Sequence, residues 1–429
     1  MRNYNTQSNI PNPSNSWTKE IEHKRVTIFA ANWQDCTASN YYKINRILLL
    51  CIGLWPYQNS SFKPIIIAST TVILISSVVI QLTTFITTEY TSDLLLQILA
   101  YSVPWFIYTL KYNIVCFNIK KMRNLMEQMR HDWNNLSNTQ EIEIIKKYWA
   151  IGRFITLITT LFIYLSVFSF ILIQFLSNFL LNVATTVNQS RSRRLPVKTE
   201  YFVDQQKYFL PLLLHIFLVV LCGLTTVVAI ETLNMSYVQH ACGLFQISSY
   251  RIEQALHKNK VLQGVTSSAE RSLIVHEGIS NAVIMYKRAT KFINMLKANC
   301  KWQYFILIPF GVLSLSINLY RFSQLVITNE YYELIISSLF IVGHFWYMLF
   351  CNYLGQEIID HSGNIFYRTY NTEWYIAPLK AQKLLLFVMQ RSMRHTTFVI
   401  GGLFVPSFEG FATLTSMSIS YFTVIFSTR

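Results

Sequence analysis

The chain has 429 residues, of which 52% are hydrophobic and 13% charged, and its mean hydropathy is +0.31. This composition is too apolar for a soluble protein of that length and predicts an all-α, polytopic membrane protein. The formal net charge of +15 does not indicate a nucleic-acid partner, because Lys and Arg lie between apolar runs instead of clustering on one domain.

The first predicted region, residues 1–63, is polar and has no cleavable signal-peptide pattern. Its apolar patch from Tyr41 to Tyr57 is too short to cross a bilayer. We predict a cytoplasmic segment with an interfacial helix, in which Trp55 lies at the level of the lipid headgroups.

Seven later stretches are long and apolar enough to be transmembrane helices. They cover residues 64–88, 94–118, 153–176, 208–231, 303–326, 332–354 and 397–426. Pro104, Pro309 and Pro406 fall inside three of these stretches, where we expect them to kink the helix.

The spans and the segments between them give a predicted domain organisation. After the N-terminal segment we expect spans one to four within 64–231, cytosolic helical extensions at 232–302, spans five and six within 303–354, cytosolic anchor helices at 355–396, and a pore-lining last span at 397–429.

The distribution of positive charge predicts the orientation. Most of the 36 Lys and Arg residues lie in the N-terminal segment and in the second, fourth and sixth connections. The positive-inside rule therefore predicts a cytoplasmic N-terminus and an extracellular C-terminus. A G-protein-coupled receptor has the opposite orientation.

The cytosolic segments are predicted to be helical and packed. Apolar and small residues recur at three- and four-residue steps through two stretches of the fourth connection. These are Val238, Ala241, Phe245, Ser248, Ile252 and Ala255, then Ile279, Ala282, Tyr286, Ala289, Ile293 and Leu296. A third amphipathic segment, Leu379 to Arg394, carries Leu384, Phe387 and Val388, which we predict to form subunit contacts.

No motif for enzymatic chemistry is present. We find no nucleophile elbow, phosphate-binding glycine loop or His/Cys metal motif, so neither an enzyme nor a cofactor is expected. His215 and His344 are interpreted as hydrogen-bonded core histidines, with ligand contact as the alternative. Lys111 is expected to snorkel or to pair with an acid, and Arg321 to lie at the membrane interface.

The last span contains Glu409, a carboxylate that we place near the middle of a helix of about 30 residues. It is either a hydrogen-bonded structural group or part of a cation path. Val424, Ser427 and Thr428 are predicted to lie at the extracellular mouth of that path.

The outer halves of the spans are rich in aromatic residues. An interfacial aromatic belt explains most of them, but a small volatile organic ligand also needs an apolar pocket with a few hydroxyl groups. The candidate ligand-binding residues are Tyr101, Trp105, Phe168, Phe175, Tyr208, Leu212, Tyr320 and Tyr332. Asn188, in an Asn-Gln-Ser sequon of an outer connection, is the candidate glycosylation site.

Several short motifs, in order along the chain, resemble those of the insect odorant receptors. They are Asn45 with Gly53-Leu54-Trp55-Pro56, Gly355-Gln356 with Ser362, Tyr370 with Trp374, Met389-Gln390-Arg391-Ser392, Gly401-Gly402, Ser407-Phe408-Glu409 and Ser420-Tyr421-Phe422. The run from Tyr370 to Tyr375 is most similar to receptors of ants, bees and wasps.

The resemblance implies an odorant-gated, non-selective cation channel in the plasma membrane of olfactory sensory neurons. It implies a tuning subunit that joins the family's shared co-receptor in a heterotetramer, with the last helices around the pore. Val424 matches the position of the family's hydrophobic gate, and Ser427 stands where the co-receptor has a selectivity-related Gln. A gustatory-type receptor channel, a seven-helix receptor that signals through cytosolic partners, and a transporter stay open as alternatives.

Overall fold

The computed structural model describes residues 41–136, 138–184, 195–262 and 267–428, with the backbone alone for 176–184. This described part is helical, without strands, and it contains seven helices long and apolar enough to cross a membrane. The predicted all-α class and the number of candidate spans are therefore confirmed.

Eleven α-helices make up the described part. They are α1 (Lys43–Cys51), α2 (Lys63–Leu82), α3 (Thr84–Thr87), α4 (Ser92–Phe117), α5 (Ile119–Asn134), α6 (Thr139–Ala184), α7 (Phe209–Val261), α8 (Ser268–Thr328), α9 (Tyr331–Tyr370), α10 (Leu379–Met393) and α11 (Phe408–Ser427). A 3₁₀ turn, Trp374–Ile376, precedes α10.

Helices α7 and α8 are much longer than a bilayer requires. They have 53 and 61 residues, or about 80 and 90 Å of helix against a hydrocarbon core of about 30 Å. All twelve residues predicted to form their cytosolic apolar stripes are buried. Helices α7 and α8 thus continue well beyond the length of a span, and their extensions pack against each other.

Helix α1 belongs to the same core. Leu49 and Leu54 are fully buried, Trp55 is 7% exposed, and the Asn45 side chain donates to the Thr232 hydroxyl at 3.0 Å. The apolar patch that was predicted to form an interfacial helix therefore packs on α7, and Trp55 is buried against protein.

Residues 395–407, here called the strap, separate α10 from α11. The strap turns at Gly401 and Gly402, whose φ angles are +61° and +78°, and the Ile400 amide donates to the Phe404 carbonyl at 2.8 Å. A side chain at Gly355 on α9 would overlap the Pro406 carbonyl, so the missing Cβ lets the strap pass close to α9.

The last helix is shorter than predicted. Helix α11 begins at Phe408, with Ser407 as its N-cap accepting from the Gly410 amide at 3.0 Å. A single helix over 397–426 is therefore wrong, and Pro406 lies before the helix instead of kinking it. Pro104 and Pro309 do lie inside helices, as predicted.

Candidate functional site

A cavity of about 300 Å³ lies inside the membrane-spanning bundle, between α4, α6, α7, α8 and α9. Its walls are predominantly apolar. Trp105 and Val197 line one end, and Phe404 and Pro406 of the strap, with Leu414 of α11, line the other. The cavity therefore touches the segment that leads into the last helix, and its volume is that of a small-molecule site.

One wall of the cavity carries a buried ion pair. The Lys111 ammonium on α4 pairs with the Glu231 carboxylate on α7, and these residues are 0% and 2% exposed. Tyr304 donates to Glu231 Oε2 at 2.6 Å, Asn234 donates to the same oxygen at 3.3 Å, and the Lys111 Nζ lies 4.8 Å from the Tyr347 ring centroid. Each charge is thereby compensated, as burial in a low-dielectric interior requires.

This network was partly foreseen. Lys111 pairs with an acid, which confirms one of its two predicted roles. Glu231 was not predicted as the partner. The available signal was that a carboxylate at the inner end of one predicted span and a lysine in the inner half of another could lie at the same depth and form an ion pair.

The predicted ligand-binding residues fall into two groups. Trp105 lines the cavity. Tyr101 packs edge-on against the cavity-lining Phe340 at 5.4 Å, and the Tyr332 hydroxyl donates to Gln174 beside the same aromatic cluster. Tyr101 and Tyr332 themselves are not part of the cavity lining, and neither are the other five: Leu212 and Tyr320 are buried elsewhere, and Phe168, Phe175 and Tyr208 are exposed.

Both membrane histidines have hydrogen-bond partners on each ring nitrogen. His215 lies 3.0 Å from the Ser76 hydroxyl and 2.9 Å from that of Tyr201. His344 lies 2.8 Å from the Ser314 hydroxyl and 2.7 Å from the Phe340 carbonyl, and it also lines the cavity. The interpretation of both as hydrogen-bonded core histidines is confirmed.

Arg321, predicted to lie at the membrane interface, is buried in the protein. The residue is 7% exposed, and its guanidinium contacts Glu333 at 2.7 Å and stacks 4.5 Å from the Tyr101 ring centroid. Glu333, at the start of α9, supplies the opposite charge that a buried guanidinium needs.

Glu409 is not at mid-helix. It lies in the first turn of α11 and is exposed. A carboxylate is favourable there because the unpaired amides of a helix N-terminus carry partial positive charge. At the far end of α11, Val424 is 58% exposed, and the Ser427 and Thr428 hydroxyls, also exposed, donate to its carbonyl at 3.1 and 2.9 Å.

The predicted subunit-contact residues lie on α10. Leu384 and Val388 are partly buried against the main core, whereas Phe387 is 68% exposed. Leu379 and Leu386 are exposed as well, so α10 presents an apolar outer face. Asn188 lies outside the described residues.

The fold brings together one group that the sequence spacing did not suggest. Ligand atoms of Cys242 on α7 and of Glu357 and His361 on α9 lie within 4.8 Å of one another, close enough to hold a metal ion. The Glu357 carboxylate accepts from Gln239 at 2.9 Å in this arrangement. The cysteine and the two α9 residues are far apart in sequence, so no spacing motif could reveal them.

Comparison with known proteins agrees with this architecture. The sequence profile of the family described as 7tm Odorant receptor matches residues 91–419. The insect olfactory receptor OR5 from Machilis hrabei, solved in complex with eugenol, is similar in fold at 13% identity and a TM-score of 0.67, covering 91% of this chain and 98% of that one. Another structure of OR5 gives 14% identity and a TM-score of 0.63, with coverage of 94% and 99%. No match was found among curated proteins.

Seven helices long and apolar enough to cross a membrane, with an apolar cavity between five of them, are the architecture of a multi-pass membrane protein. The profile match covers well over half of the chain, and the chain belongs to the odorant receptor family, whose members are receptors and channels rather than enzymes.

Proposed function

We propose that the chain is the odorant-binding, tuning subunit of a ligand-gated, non-selective cation channel in the plasma membrane of insect olfactory sensory neurons. One observation carries the proposal: a single cavity is lined both by Trp105 and by Pro406 in the strap and Leu414 in α11. A molecule in the cavity would therefore touch the entrance to the last helix.

The exposure of α11 supports a role in lining a path shared with neighbouring subunits. Its outward positions include hydroxyl side chains at Thr413, Ser416, Ser420 and Thr423. A membrane helix with such a face suits an aqueous axis better than lipid. In this proposal Val424 forms the hydrophobic gate, Ser427 and Thr428 lie at the outer mouth, and Glu409 faces the inner vestibule.

Assembly is proposed to use the outer face of α10. The exposed Phe387, together with Leu384 and Val388, would contact the shared co-receptor in a heterotetramer, because an exposed apolar face next to a packed core is typical of a subunit interface. The proposed orientation has the N-terminus in the cytoplasm, the C-terminus outside and a glycan on Asn188.

Gating follows from a difference in ligand affinity between a closed and an open arrangement of the channel. A ligand that binds the open arrangement more tightly shifts the population towards it. In this chain the ligand would press on Phe404 and Pro406, and the strap would pass the displacement to α11 and rotate Val424 away from the axis.

The test is a patch-clamp recording from cells that express the chain with the co-receptor. We expect odorant-evoked cation currents that persist when G-protein nucleotides are removed from the cytosolic side. Currents that vanish under this condition would support the alternative of a receptor signalling through cytosolic partners.

A further inference from the structure

Two buried polar groups in the cavity wall have no hydrogen-bond partner among the described residues. They are the hydroxyl of Thr159 on α6 and the indole Nε1–H of Trp346 on α9. Both residues line the cavity, and Thr159 is 6% exposed. Buried donors are normally paired, so each unpaired one needs an explanation.

The two groups lie on helices that meet at one wall. Phe162, three residues after Thr159 and on the same side of α6, packs its ring 4.6 Å from the Trp346 ring centroid. Phe162 also lines the cavity. The contact packs the indole against α6, on the side of that helix that carries Thr159.

Three other polar residues of the wall are already paired. The Ser166 hydroxyl donates to the Phe162 carbonyl at 2.9 Å, both nitrogens of His344 are in hydrogen bonds, and Tyr347 lies within hydrogen-bond distance of Lys111 and Glu231. The unused capacity of Thr159 and Trp346 is mainly donating, because an indole can only donate and a hydroxyl can donate as well as accept.

We infer that the cavity takes a largely apolar molecule with a hydrogen-bond-accepting oxygen, such as a ketone or an ester, and that Thr159 and Trp346 bind this oxygen. This inference rests on the proposed function and specifies its ligand. A hydrocarbon of the same shape fills the same volume but leaves both donors unpaired, and a site built to bind a polar group discriminates against such an analogue.

The experiment uses pairs of molecules that differ in one group. Three pairs replace C=O with C=CH₂: 2-heptanone with 2-methyl-1-heptene, 2-octanone with 2-methyl-1-octene, and acetophenone with α-methylstyrene. Each compound is tested for evoked current on cells that express the chain with the co-receptor, and for its shift of the melting temperature of the purified complex.

In the wild type we expect the ketone of at least one pair to be more potent than its alkene by about tenfold. Thr159→Val and Trp346→Phe should each reduce this ratio by roughly two- to tenfold, because each removes one donor. Thr159→Val keeps the side-chain shape, whereas Trp346→Phe also removes volume, so the readout is the ketone-to-alkene ratio and not the potency of either compound alone. Thr159→Ser retains the hydroxyl and should retain the ratio.

Two matched substitutions serve as controls. Thr160→Val removes a hydroxyl that donates to the Thr156 carbonyl and is not part of the cavity lining. Trp302→Phe alters an indole that is 63% exposed. Both should leave the ketone-to-alkene ratio unchanged.

The inference is overturned if ketones and alkenes act equally, if ketones produce neither a current nor a shift of the melting temperature, or if Thr159→Val and Trp346→Phe weaken both members of a pair equally. Failure of the proposed function looks different: ketones would then stabilise the purified complex selectively without opening a conductance.

Discussion

Helices α7 and α11 are both apolar, but they differ in how much of their surface is buried. Residues 228–245 of α7 are buried on every side, including Ala241, Cys242 and Phe245. All residues of α11 are described, and three of them, Gly410, Leu414 and Ser418, are buried. The chain therefore builds a core of its own around this part of α7, whereas α11 is left with surface for neighbouring subunits or solvent.

The largest expected effect concerns the buried ion pair. Glu231→Ala leaves the Lys111 ammonium buried without its counter-charge. We expect the free energy of unfolding to fall by about 3–5 kcal/mol and less protein to reach the cell surface. The combined change with Lys111→Met should recover part of this loss, because no unpaired charge then remains. Surface biotinylation and the melting temperature of the solubilised protein measure both effects; equal damage in the single and double variants would contradict the pairing.

Two phenylalanines test the comparison directly. Phe292 is fully buried between α7 and α8, whereas Phe387 on α10 is 68% exposed. Phe292→Ala should cost about 3–5 kcal/mol through the cavity that it leaves. Phe387→Ala should change subunit stability by less than about 0.5 kcal/mol but reduce co-purification with the co-receptor. Unaffected co-purification would argue against the proposed α10 interface.

The close contact between α9 and the strap should be disturbed by the addition of a single methyl group at Gly355. Gly355→Ala places a Cβ against the Pro406 carbonyl and should introduce about 1–3 kcal/mol of strain, which is relieved by moving the strap. We expect a changed basal current and ligand sensitivity. Gly343→Ala is the control for basal current, because a Cβ there meets nothing within 4 Å. Identical basal currents in the two variants would show that this contact of the strap has no role in gating.

The smallest effect is expected at Glu409. Glu409→Gln removes a charge that is exposed at the start of α11, and it should lower unitary cation conductance modestly while leaving surface delivery intact. Single-channel recording gives the answer. If expression falls and conductance does not, the carboxylate is structural.

The sequence predicts most clearly those parts that depend on local periodicity. The stripes of α7 and α8 were readable because residues such as Ile279 and Ala282 recur at helical spacing and pack in the core. The strap was hidden because its residues are as apolar as a span, and hydropathy does not distinguish an apolar turn from a helix. Gly401, Gly402 and Pro406 were the available signals.

The cavity is harder to predict than the helices around it. Its polar groups come from helices that are distant in sequence, and the unpaired state of Thr159 and Trp346 depends on what each neighbouring side chain already binds. Aromatic richness identified Trp105 but also favoured exposed Phe168 and Phe175, because belt residues and pocket residues have the same composition.

The most direct test of the account is chemical modification of α11 in a working channel. The variant Val424→Cys is co-expressed with the co-receptor and exposed to a positively charged, membrane-impermeant thiol reagent during odorant-evoked current. The controls are the unsubstituted chain and Ser418→Cys, at a buried position of the same helix outside the cavity lining. The account predicts that modification at Val424 reduces cation current and that the controls are unaffected. Verified modification of Val424→Cys with no change in current would place this end of α11 away from the ion path.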